Sequence, residues 1–67
     1  MRQQAQASPE LLYIVKHGVT GMRLTKPLTT LVEADAAAIR LSLDLSYIVE
    51  VWHRDQVIAW YSRGVRG

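Results

Sequence analysis

Two runs dense in β-branched and aromatic residues flank the polar tetrad His53-Arg54-Asp55-Gln56 within Ser46–Ser62, SYIVEVWHRDQVIAWYS, a pattern that predicts a β-hairpin. With Arg54-Asp55 as a two-residue turn, Trp52 faces Val57, Glu50 faces Ala59 and Ile48 faces Tyr61 on one surface. Val51 with Ile58 and Val49 with Trp60 then occupy the other. Arg-Asp is not a favoured type I′ pair, so a four-residue loop is an equal alternative, and a one-residue slip would exchange the faces on one strand. In either register Glu50 is the only charged residue inside the paired region, and both faces of the hairpin are apolar. A single small core covers only one of them.

Upstream, Leu11–His17 (LLYIVKH) reads as a first strand, followed by a turn bracketed by Gly18 and Gly21. Met22–Glu33 has strand-favouring threonines, leucines and Val32, yet Pro27 cannot donate to a central ladder; an edge strand broken or bulged near Pro27 satisfies both. A helix follows. Thr30 with Glu33 has capping-box spacing and would start it at Leu31, whereas Asp35 as N-cap gives a helix from Ala36 to about Leu45. The start of the alanine run at Ala36 favours Asp35. Along this helix Ala36, Ile39 and Leu43 fall on one side and Ala38, Leu41 and Leu45 on nearly the opposite side. Arg40 and Asp44 form one seam between the stripes, Asp35 and Ser42 the other. One stripe belongs on the sheet, and the other is surplus.

The expected architecture is an α+β two-layer sandwich, with one helix on a face of an antiparallel sheet of three to four strands, ordered ββαββ, or βαββ if Met22–Glu33 is irregular. Residues 1–9 are expected to be a flexible leader ending at Pro9, and residues 10–67 a single domain. Sixty-seven residues is near the lower limit for independent folding, and without cysteine neither disulfides nor a thiolate zinc site supplement the core. Tight packing or association with another chain is the usual remedy. No apolar run approaches the ~20 residues of a membrane-spanning helix, and Met1–Ser8 lacks an apolar signal segment. The reading is a cytoplasmic protein that does not engage membranes.

The net charge of +2 comes from eight scattered basic residues against six acidic ones, with no block resembling a nucleic-acid tail. His17 and His53, the only histidines, fall on different hairpins without ligand spacing and read as solvent-exposed strand ends. The carboxylates are accounted for by capping at Asp35, turn chemistry at Asp55 and surface solvation. Glu50, among apolar neighbours, is a candidate for pairing with an arginine. No G-x-S-x-G elbow is present, and Gly18-Val19-Thr20-Gly21 lacks the Lys-Ser/Thr of a phosphate loop. Neither catalysis, nor a metal, nor a cofactor is expected.

The aromatics remain. Core packing is expected to claim Trp60, while Trp52 and Tyr61, on one predicted face, are candidates for exposure. Together with Tyr13, Arg54 and Arg63 they form the expected partner-binding set, since Trp, Tyr and Arg are enriched at interfaces.

The segments YIVKH, LVEADAAAIRLSL and YIVEVWHRDQVIAWYSRG resemble, in their order, the organisation of small phage-encoded anti-CRISPR proteins of the type I-F class. The resemblance covers most of residues 13–64, rests on element order and a few apolar positions, and implies a protein that blocks a larger nucleoprotein complex by surface binding. The expected function is therefore a small non-enzymatic interaction module for a protein or nucleoprotein partner, acting as a homodimer. The less favoured alternative is a nucleic-acid-binding protein using Lys16, Arg23, Arg54, Arg63 and the aromatic face.

Overall fold

The computed structural model describes residues 11–45 and 47–67, so the expected leader lies outside the described residues. Its elements are β1 (Tyr13–His17), α1 (Leu31–Leu45), β2 (Val49–His53), β3 (Gln56–Ser62) and β4 (Val65–Arg66). The strands form one antiparallel sheet in the order β1-β2-β3-β4, with α1 packed across one face. This is the expected two-layer α+β sandwich. Its fourth strand, however, comes from the C-terminal Val65–Arg66 rather than from Met22–Glu33.

After β1 the chain turns at Gly18–Gly21, where Gly21 adopts φ 75° and its N–H donates to the His17 carbonyl at 2.9 Å. It then runs back along the outer edge of β1. Pairing occurs only at Lys16↔Arg23 and Tyr13↔Leu28, so three steps along β1 are matched by five along the returning segment. The surplus residues include Pro27, which has no N–H to donate. The segment is thus an irregular, bulged edge that still supplies hydrogen bonds, such as Leu24 N–H to the Val15 carbonyl at 2.8 Å.

The helix begins earlier than the alanine run suggests. Thr30 is its N-cap: the Thr30 hydroxyl accepts from the Glu33 N–H at 3.2 Å and donates to the Glu33 carboxylate at 3.0 Å, with Thr29 donating to the same oxygen at 3.0 Å. These hydroxyls, Thr30 foremost, hold the Glu33 carboxyl below the usual carboxylate range. The expected cap, Asp35, lies instead within the first turns and accepts a hydrogen bond from the Tyr61 hydroxyl. The cap falls to Thr30, with its local capping box, while Asp35 is engaged by its long-range partner.

Ala34, Ala38 and Ser42, four residues apart, are fully buried against Val15, Val49, Val51, Ala59 and Tyr61. Small side chains at this spacing let the helix axis lie close to the sheet. The sheet-facing side therefore includes the Asp35/Ser42 seam, and Ala36 and Leu43 remain exposed. Ser42 is a satisfied polar group: its hydroxyl donates to the Ile39 carbonyl at 2.9 Å and accepts from the Gly64 N–H at 2.8 Å. That bond ties the helix to the Arg63-Gly64 turn, whose positive φ values of 52° and 82° close the hairpin between β3 and β4.

Of the two turns open to the central hairpin, the two-residue one is found. Arg54 and Asp55 adopt φ values of 54° and 61°, and Trp52 pairs with Val57. Beyond that pair the register differs. A bulge leaves Ile58 unmatched, so that Val51 pairs with Ala59, Glu50 with Trp60 and Val49 with Tyr61. The extra residue turns Ala59 and Tyr61 toward the helix and Trp60 away from it, reversing the expected placement of Trp60 and Tyr61. Tyr61 is fully buried while Trp60 is 47% exposed. Deleting Ile58 would restore a regular ladder with the same faces, and is expected to leave a folded protein with the same core. Circular dichroism melts check this: loss of the cooperative transition on deleting Ile58 would contradict the bulge.

Among the described residues, no helix is long and apolar enough to cross a membrane.

Candidate functional site on the open sheet face

Because α1 covers only one side, the other face of the sheet carries its own side-chain array. Alternation places Ile14 and Lys16 of β1, Glu50 and Trp52 of β2, and Val57 and Trp60 of β3 on this face. Cross-strand pairing sets two rows: Ile14–Trp52–Val57, and Arg23–Lys16–Glu50–Trp60. Val57, Ile58 and Trp60 are each more than one-third exposed.

The rows are joined by polar contacts. The Lys16 ammonium lies over the Trp52 indole, 4.1 Å from the ring centroid, a cation–π arrangement. The Trp52 indole N–H donates to the Glu50 carboxylate at 3.0 Å. Glu50 thus pairs with an indole rather than with the expected arginine. It also makes no ion pair with Lys16, its direct cross-strand neighbour; among the described residues the only ion pair is Arg40–Asp44 on the helix, at 4.0 Å.

Beside Trp52 the surface dips into a depression of about 80 Å³. Lys16, Arg23 and Arg54 line it, with Asp55 as the only carboxylate. Three elements converge here: β1 brings Lys16, the returning edge segment brings Arg23 opposite it, and the β2–β3 turn brings Arg54. The volume is that of roughly three waters, suited to one small oxyanion group and far below the ~300 Å³ of a typical small-molecule site.

The expected site residues divide between the two faces. Trp52 and Arg54 belong to this open face. Tyr61 is fully buried beneath the helix and is not available for contact. Tyr13 lies on the helix-facing side, stacked on His53 with ring centroids 4.2 Å apart. Arg63 sits in the β3–β4 turn, at the opposite strand end from Arg54. Sequence reasoning missed Trp60 as a surface group, because the bulge that exposes it leaves no turn residue as a mark.

The histidines are half-buried rather than solvent-exposed. His17 Nδ1 accepts from the Val19 and Thr20 N–H groups at 3.1 and 3.2 Å, capping the Gly18–Gly21 turn, and its ring packs on Tyr47. His53 stands at the other end of the β1–β2 ladder, opposite Tyr13. Its buried Nδ1 has no hydrogen-bond partner. The separation follows from their positions at the two ends of one antiparallel pair.

The fold and face together define a small α+β sandwich with one covered and one open sheet surface. Comparison with known proteins returns no matching family, no matching curated protein and no matching solved structure.

Proposed function

We propose that this chain is a small non-enzymatic interaction module of the cytoplasm that binds a protein or nucleoprotein partner through the open sheet face, as a homodimer. An inhibitor carried by a phage or another mobile element fits this reading, in line with the resemblance of element order to the anti-CRISPR proteins. The observation that supports it is Trp60, nearly half exposed on a strand where Val57 and Ile58 are also exposed, on the same sheet face as the cationic depression beside Trp52. Exposed indole flanked by apolar and arginine side chains is the composition of an interface anchor. The surplus apolar surface on the helix, at Val32 and Leu43, supports self-association on the opposite side.

Two measurements test this. Sedimentation at micromolar concentration is expected to give a dimer, and a well-folded monomer would remove that part of the reading. Affinity capture from the native host is expected to recover a complex with the wild-type chain and to lose it with Trp60→Ala. Equal recovery by both would exclude the open face as the contact.

A second reading, nucleic-acid binding by the basic and aromatic sheet face, is favoured by a separate observation: Lys16, Arg23 and Arg54 surround one depression beside Trp52.

A further inference from the structure

We infer that the depression bounded by Lys16, Arg23 and Arg54 is a subsite for one backbone phosphate of a single-stranded nucleic acid lying across the open sheet, with a base stacked on Trp60. This rests on the second reading above and specifies it.

The first support is the arrangement of charge. Lys16 and Arg23 are direct cross-strand partners, a like-charged pair that disfavours the free protein. No carboxylate within the described residues lies within ion-pair distance of either, or of Arg54. Glu50, the cross-strand neighbour of Lys16, accepts a hydrogen bond from the Trp52 indole instead. Three cations against Asp55, and against the Glu50 carboxylate beside Lys16, leave the locality with a net charge of about +1. An anion placed between them relieves the Lys16–Arg23 repulsion and gains charge-assisted hydrogen bonds.

Size and surroundings select the anion. About 80 Å³ matches the size of a tetrahedral oxyanion. Trp60 occupies the same cross-strand row as Lys16, two strand spacings or ~10 Å away, and its half-exposed indole offers a stacking surface. A duplex keeps its bases stacked inward and could not use that indole. A single strand presents phosphate and base together.

The test is fluorescence anisotropy with labelled oligothymidylate and oligouridylate of about 12 nucleotides, against the wild-type chain at several salt concentrations. Micromolar affinity is expected at low salt. One neutralised phosphate gives a log–log salt slope near −0.7, so affinity should fall about 2.6-fold between roughly 50 and 200 mM salt. Arg23→Gln and Arg54→Asn, both at exposed positions, should each weaken binding and flatten the slope, asparagine being tolerated at the left-handed position of the turn. Trp60→Ala should cost roughly 5- to 150-fold at unchanged slope. Arg40→Gln, on the helix surface, should change neither.

Absence of binding at low salt would overturn both this inference and the nucleic-acid reading. Binding that survives Arg23→Gln and Arg54→Asn unweakened would overturn the subsite alone. Equal weakening by Arg40→Gln would show a diffuse field instead of a site. Capture of a nuclease-resistant protein partner through the same face, with no oligonucleotide affinity, would assign the face to protein.

Discussion

Tyr61→Ala is expected to leave the chain unfolded at 25 °C. Tyr61 is a fully buried side chain at the centre of the sandwich, opposite Val49 and beneath the helix. Truncating a buried aromatic costs about 3–5 kcal/mol, and a core of this size supplies about the same. Far-ultraviolet circular dichroism would show it; a cooperative melt near the wild-type midpoint would refute the placement. Tyr61→Phe separates the ring from the hydroxyl. It should fold and lose about 1–2 kcal/mol, because only the hydrogen bond to Asp35 disappears.

The same residue gives an alkaline signature. Burial, then the hydrogen bond to Asp35 and its negative charge, push the Tyr61 phenol up to about 12, against a smaller opposing pull from Arg66. Below pH 10 the phenol holds its proton in the folded and unfolded chains alike, so its contribution is fully present. Between pH 10 and about 12 the unfolded chain has released that proton while the folded one keeps it, so stability declines as pH rises. The decline in melting temperature over this window should be steeper in wild type than in Tyr61→Phe.

Gly18→Val is expected to cost about 3 kcal/mol, measured as a shift in denaturant midpoint. A Cβ at Gly18 would lie 2.8 Å from the Ile48 carbonyl oxygen and 2.7 Å from Ile48 Cγ2. That carbonyl accepts the Gly18 N–H at 2.7 Å, so the backbone cannot withdraw without giving up the bond that closes the β1–β2 ladder. Gly21→Ala is the contrasting case. A Cβ there meets nothing within 4 Å, and only the φ of 75° is unfavourable, for about 1 kcal/mol. Equal losses at the two positions would contradict the close approach at Gly18.

Much of this fold can be read from residue order. YIVKH declares β1, and the polar tetrad between two apolar runs gives a hairpin; of the two turn lengths it allows, the two-residue one is found, with Trp52 opposite Val57. What escapes is whatever depends on one residue of register. Ile58 is apolar like its neighbours, so the sequence carries no mark that it stands outside the ladder, and Trp60 and Tyr61 exchange roles in consequence. Thr30 and Asp35 compete for the helix cap on equal local chemistry, and Thr30 takes it, while Asp35 is engaged by Tyr61, a partner 26 residues away. Two-residue β4 is too short to show a period at all. The same logic limits the site. Trp52 and Arg54 are legible as aromatic and turn residues, but the meeting of Lys16 and Arg23 follows from how the Gly18–Gly21 turn sets the returning chain.

The irregular segment from Met22 to Leu28 has a consequence for the molecule in concentrated solution. It occupies the hydrogen-bonding groups along the free side of β1, with Pro27 interrupting any continuous ladder, and the other lateral margin is two residues of β4 bearing Arg66. The β1 margin therefore offers no continuous template to an incoming chain, whereas β4 covers only the far end of β3 and leaves the outer side of residues 56–59 without a strand among the described residues. Strand addition is thus confined to one side of the sheet, the side on which Val57 and Ile58 stand exposed.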